Sequence, residues 1–427
     1  MVIQPRRAPA LGLVAISFAL IAFMTLRPTQ AIVVTPTFCV FCGPLGGVDF
    51  ILNVILFVPL GISLRWATGR WRTTIIVGVV TTLMIETLQS RLIGGRDASL
   101  GDLLANTLGT LLGAWVATAL FRWLNATGNA AHRYAAAFGI AAALVVTGSA
   151  FLLQPIVPRY PQWVQWTPLH PNTDPFRGTL LAVELKGRVL RPAEDLEAME
   201  AFDTVTRSLT MRAQISSSGL ARPTQRPAIV VRIVNFLEEG FALVQRGEAV
   251  AFRTHIAAVR VKLRPILVGL DGAFPTSPGT AEEFIIEAHS DPRAITVRRH
   301  GDGQLAVSVR RTVGLAWALV SPWDVALNER WWPVNAIWVG ALIFPAAFFA
   351  IRSSRASRNS VLNSWWPVVL VVAALFAGPA TGLSALGLGE WAGVLAGIAA
   401  AWPFEHWSAA SGVPDLSARA PGGSIRS

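Results

Sequence analysis

The chain has 427 residues, 53% of them hydrophobic and only 14% charged, and its formal net charge is +11. A soluble globular domain carries about 25% charged residues, so this composition excludes an ordinary soluble protein and puts part of the chain in lipid. Lys186 and Lys262 are the only lysines, and the arginines lie scattered beyond the ends of apolar runs rather than in one patch; that is membrane topology, not nucleic-acid binding.

Eight apolar stretches approach the roughly 20 residues that cross a bilayer: 8–26, 50–65, 73–90, 100–121, 134–153, 334–351, 365–383 and 389–405. The first reads as a span and not a cleavable signal, because its apolar run is long and no small-x-small site follows. Pro59 and Pro379 fall inside spans, where neighbouring helices can satisfy the freed carbonyls. With the N-terminus in the cytoplasm, Arg6, Arg7, Arg65, Arg70, Arg72, Arg122, Arg133, Arg352, Arg355, Arg358, Arg419 and Arg426 share one side. Only Arg27, Arg91 and Arg96 lie in the opposite short loops. This positive-inside bias predicts two cytoplasmic termini, with 154–332 outside the cytoplasmic membrane.

Between spans five and six, a Pro- and Trp-rich connector (155–175) gives way to short alternating runs at 206–215, 228–236, 241–245, 249–255, 283–289, 294–299 and 304–309. Period two with Gly, Pro and Asp punctuation predicts an antiparallel sandwich. Hairpin turns are expected at 245–247 and 300–303, and one surface helix at 192–201. No internal repeat of 20–50 residues is visible. The expected organisation is a four-helix membrane domain at 1–125, a fifth span at 126–153, an extracytoplasmic β-sandwich at 154–332, three further spans at 333–407 and a disordered cytoplasmic tail at 408–427. The fold class is thus an α-helical multi-pass membrane protein with an inserted all-β domain.

Polar residues interrupt the first four spans in pairs: Asp49 with Asn53, Glu86 with Gln89, Arg96 with Asp97, and Asp102 with Asn106. Except for the loop pair Arg96–Asp97, each shares one helix face by i,i+3 or i,i+4 spacing, and the topology brings all of them to one end of the bundle. Acids at helix starts also suit the dipole, and polar groups can tie helices together. Glu86 is harder to assign to structure alone, because a carboxylate inside an apolar span is costly and marks a functional site or a paired charge. These eight residues are the expected ligand-binding cluster, with Arg96 as the cation within reach of Glu86.

Asp49-Phe-Ile-Leu-Asn53, Pro59-Leu-Gly61, Glu86-Thr-Leu-Gln89, Arg96-Asp97 and Gly101-Asp102-Leu-Leu-Ala-Asn106-Thr-Leu-Gly109 resemble the VanZ-like family over about residues 10–122. The resemblance implies a multi-pass envelope protein and an association with low-level teicoplanin resistance; it implies no known catalytic activity. Arg232-Ile-Val-Asn-Phe236, then Phe241 to Arg253, more weakly resemble the central strands of laminin-G-like, concanavalin A-like lectin folds. That likeness implies carbohydrate binding. Glycosidase relatives need two carboxylates about 5–5.5 Å apart on one strand, whereas the acids Glu194-Asp-Leu-Glu197 fall in the expected helix.

Cys39-Val-Phe-Cys42 lacks the second ligand pair of a zinc site and the βαβ setting of a thiol-exchange site, leaving a small structural disulfide as the expectation. No phosphate loop, His-Glu-x-x-His pair or Gly-x-Ser-x-Gly elbow occurs, and no metal or cofactor is implied. The leading reading is a non-enzymatic envelope protein whose partners are the bilayer and a lipid-linked precursor or glycan, and which lowers glycopeptide susceptibility. Membrane components of exopolysaccharide synthesis or export, and anchors for a carbohydrate-binding domain, are the alternatives.

Overall fold

The computed structural model describes residues 7–26, 39–92, 99–157, 162–170, 172–196, 203, 205–217, 226–235, 239–275, 282–301, 303–356 and 361–410. Its long helices are α1 (Arg7–Thr25), α2 (Gly46–Thr68), α3 (Trp71–Leu92), α4 (Leu100–Leu124), α5 (Gly128–Leu152), α6 (Trp332–Ala356), α7 (Val361–Leu375) and α8 (Leu388–Ala410). The apolar stretches in α1–α7 are long and apolar enough to cross a membrane. The eighth expected span, α8, is a helix of 23 residues, but Glu390, Glu405 and His406 interrupt its apolar run. Seven candidate spans among the described residues therefore replace the expected eight.

Between α5 and α6 lie two antiparallel six-stranded sheets. The first runs β4 (Asp195–Leu196), β1 (Gln162–Trp166), β6 (Ala228–Val234), β7 (Glu239–Arg246), β8 (Ala249–Arg253), β9 (Leu267–Leu270). The second runs β12 (Leu305–Arg310), β11 (Ala294–His300), β10 (Glu283–Ser290), β5 (Leu209–Ser216), β2 (Thr179–Leu185), β3 (Arg188–Leu190). Alternation drives this arrangement: Met211, Ala213 and Ile215 of β5 are fully buried, while Arg212 reaches out to Glu287 of β10 at 2.7 Å. The expected hairpins join β7 to β8, with Gly247 at φ 63°, and β11 to β12, with Gly303 at φ 85°.

The surface helix expected at 192–201 is not formed at its start. Ala193 sits at φ 59°, the Glu194 carboxylate accepts the Arg191 N–H at 2.7 Å and pairs with Arg188, and Asp195–Leu196 pairs with β1. A left-handed residue and a side chain that caps the turn stop helical propagation there; 197–202 lie outside the described residues, as does 411–427.

The helices form two groups of four with one plan. In each, the second and fourth helices start beneath the sheets and run away from them side by side. In the first group a Cβ added to Gly61 of α2 would lie 2.1 Å from the Thr110 carbonyl oxygen of α4, and one on Gly113 of α4 2.1 Å from that of Val58. In the second, a Cβ on Gly393 of α8 would lie 2.5 Å from the Ala336 carbonyl oxygen of α6, and one on Gly397 2.7 Å from that of Gly340. In lipid, where helices gain little from apolar burial against each other, such backbone contact through small residues holds helix pairs.

The two groups differ in how they meet the sheets. Helices α5–α8 share one apolar core with the β region, which Val48 at the start of α2 also enters, whereas Ile21, Phe57, Leu60, Leu64 and Ile85 form a second core in α1–α3. The first group touches the sheets through a turn: the Gly47 N–H donates to the Lys262 carbonyl at 3.1 Å, and Lys262 Nζ donates to the Phe41 carbonyl at 2.6 Å.

Candidate functional site

The sheet-facing end of the first group is organised by one serine. Ser99 has extended backbone and caps α4, accepting the Asp102 N–H at 3.0 Å through Oγ; this satisfies one of the orphan N–H groups of a helix start. Its hydroxyl donates to Asp102 Oδ2 at 2.8 Å, and its backbone N–H donates to Glu86 Oε2 of α3 at 3.1 Å. Asn53 Nδ2 of α2 donates to Asp102 Oδ1. One residue thus ties carboxylates from two helices together, and a third helix closes the set.

Glu86 and Asn106 are buried, at 8% and 2% exposure. Asn106 lies one turn along α4 from Asp102, and its Oδ1 has no hydrogen-bond partner among the described residues. A buried carbonyl left without a donor costs about 1–3 kcal/mol, so this atom could still accept a hydrogen bond. Gln89 is buried too, but Nε2 donates to the Thr25 carbonyl at 2.8 Å and ties α3 to the end of α1.

Asp49 also acts beyond the cluster. It lies one turn before Asn53, and its charge acts on Arg264 of the β region: burial pushes the Arg264 guanidinium down from its usual range, while Asp324 and Asp49 pull it back. Arg96 and Asp97 lie outside the described residues. Cys39 and Cys42 are free thiols and are not joined. Instead the Cys42 thiol donates to the Cys39 carbonyl at 3.1 Å, and the same carbonyl accepts the Gly101 N–H at 3.1 Å. Burial, then the Cys39 thiol, push Cys42 up to about 11, against a smaller downward pull from Ser99. The 39–42 loop therefore covers the start of α4.

The corresponding place in the second group was not anticipated. Glu390, the third residue of α8 as Asp102 is of α4, is 2% exposed; it accepts the Thr312 hydroxyl on Oε1 and the Gly387 N–H on Oε2 at 2.7 Å. Beside it Arg311 is fully buried, donating to the Leu153 carbonyl at 3.1 Å and to Ser290 Oγ at 2.8 Å; burial brings this guanidinium down to about 10. A signal for Ser99 exists in Ser99-Leu-Gly-Asp102, a Ser-x-x-acid start ahead of an apolar run. Arg311 carries no such signal, since it ends an alternating strand as a surface arginine would.

The first group's arrangement is rich in acceptors: two carboxylates and an amide oxygen converge under a loop. It suits a ligand that brings N–H or O–H donors. Residues 5–122 match the VanZ/LLP1 family model, so this region is a VanZ-like domain. No curated protein and no solved structure matches the chain, and the two antiparallel sheets are consistent with a sandwich without any lectin-fold match.

Proposed function

We propose that the VanZ-like domain binds a donor-bearing component of the bacterial cell envelope, a lipid-linked precursor or glycan, at the Asn53–Glu86–Asp102–Asn106 cluster, and thereby lowers susceptibility to glycopeptides. The carrying observation is the buried Asn106 Oδ1, which has no partner among the described residues and lies one turn along α4 from Asp102, whose carboxylate Ser99 ties to that of Glu86. A polar cluster kept only for helix association would be satisfied internally. The arginine asymmetry supports an orientation with the N-terminus cytoplasmic and this cluster, with the sheets, on the outer side. Binding without chemistry is the reading adopted, because the cluster holds acceptors and no activated nucleophile.

The test titrates purified full-length protein in detergent with a lipid-linked cell-wall precursor and, separately, with phospholipid alone, reading retention by native mass spectrometry. Selective retention of the precursor that falls about tenfold in Asp102→Asn is expected. Equal retention of both lipids, or retention unchanged in Asp102→Asn, would contradict the reading.

A further inference from the structure

Three arginines of the first sheet region converge on a single carboxylate. Arg246 of β7 reaches Asp324 Oδ2 at 3.1 Å, Arg253 of β8 reaches the same oxygen at 3.3 Å, and Arg264 reaches Oδ1 at 3.7 Å. The side chains are only partly covered, at 26%, 26% and 13% exposure, with Asp324 at 30%. Arg264 is held in place by the Ser321 carbonyl at 3.0 Å, and Arg246 also donates to the Asp324 carbonyl at 2.7 Å.

Sheet register extends the cationic face. Arg253 pairs with Ala242, which pairs with Arg232, so the two arginines flank an alanine on one face of the sheet. In the next row Val244, Ala251 and Gly269 are paired, and Ala326 packs over Gly269, which lays the segment carrying Asp324 close against the sheet. Three guanidiniums around one carboxylate repel one another where water is partly excluded. One arginine would be enough to pin the 321–326 segment to the sheet, so three exceed what a fastening needs.

The cluster also has a definite place. The turn carrying Arg264 contacts Phe41 and Gly47 at the start of α2 through Lys262, and its Arg264 end is within the influence of Asp49. Trp323, Val261 and Phe41 around it are 71%, 53% and 48% exposed. Exposed aromatic and apolar residues next to arginine at the end of a spanning helix are the composition of a membrane–water interface.

We propose that Arg246, Arg253 and Arg264 form a phosphate-binding site at the membrane surface, taking a phosphate or diphosphate group by the forked hydrogen bonding that guanidinium offers to phosphate oxygens. The proposal concerns residues separate from the Glu86 cluster and stands or falls apart from it. Asp324 is then a placeholder carboxylate that an incoming phosphate competes with or joins.

Full-length protein in a neutral detergent is titrated with inorganic diphosphate and with short-chain phosphatidylglycerol below its micelle concentration, following tryptophan fluorescence and thermal denaturation. Saturable binding is expected, weakened at least tenfold in Arg253→Gln, less in Arg253→Lys, and tightened at least threefold in Asp324→Asn. The last variant separates the two roles, since loss of a mere fastening would lower stability without raising anion affinity. Tighter binding of the lipid than of diphosphate would identify a headgroup as the source, and the reverse a soluble phosphate. Absence of saturable binding of both probes by the unaltered protein, or equal affinities for unaltered protein and Arg253→Gln, would overturn the site, as would an Asp324→Asn variant that loses stability with unchanged affinity.

Discussion

The two helix groups use one device for different ends. Each rests on a parallel helix pair brought into backbone contact by glycines, and each places an acid at the third residue of its fourth helix, Asp102 in α4 and Glu390 in α8. In the second group that acid is closed in by Thr312 and the Gly387 N–H, Arg311 is buried alongside, and the helices share their core with the sheets. In the first, the acid meets Ser99 and Asn53, an amide oxygen one turn away has no partner among the described residues, and α1–α3 hold a small core of their own. The second group also leaves one buried atom, Arg311 Nε, without a partner among the described residues, so the two places differ in what surrounds the acid and in how they join the sheets rather than in complete satisfaction.

The comparison breaks most readily at the glycines. Gly61→Leu should abolish folded protein in membranes, because the added carbons would meet the backbone of α4 at 2.1 Å, and backbone cannot yield as a side chain can. Gly148→Ala, with nothing within 4 Å of its Cβ, should leave yield unchanged. Equal yields of the two variants by in-gel fluorescence of a fused reporter would refute the packing.

Arg311→Ala comes next. It leaves the buried Leu153 carbonyl and Ser290 hydroxyl without their donor, at about 1–3 kcal/mol for each group left unsatisfied. A fall of many degrees in the denaturation midpoint is expected. Ser99→Ala removes a cap and should cost about 1 kcal/mol; its midpoint should drop by a few degrees while helical content stays the same.

The smallest effect concerns Cys42. With its thiol pushed up to about 11 from an ordinary 9.0, the thiolate is scarce at neutral pH and rises only as pH approaches 11. Alkylation should therefore be slow at pH 7–9 in the folded protein and fast after unfolding, with Cys42→Ser leaving stability unaltered. Rapid alkylation of folded protein at pH 8 would show that the loop does not cover the thiol.

How legible all this was in the sequence follows from the physics of each signal. Long apolar runs and period-two alternation are strong local patterns, so the helices and the strands β5–β8 and β10–β12 lie where they were expected. Strand β9, Leu-Val-Gly-Leu, is buried throughout and has no alternation to read, and β1 hides in a connector rich in Pro and Trp. The polar cluster was legible as to residue type and helix face. Its wiring was not: Ser99 joins Glu86 to Asp102 and Gln89 serves the Thr25 carbonyl, because partners distant in sequence are set by tertiary packing. The glycines at 389, 393 and 397 repeat every four residues and were readable as a helix contact; the likeness of the two helix groups was not, since the sheets separate their elements.

The central claim, that the first group's carboxylates serve a ligand while the second group's serve the fold, is tested most directly by comparing Glu86→Gln and Asp102→Asn with Glu390→Gln in one host, measuring membrane abundance and glycopeptide susceptibility together. The account predicts near-normal abundance with loss of the susceptibility change for the first two variants, and loss of both for Glu390→Gln. An unchanged susceptibility effect at normal abundance in both Glu86→Gln and Asp102→Asn would contradict it.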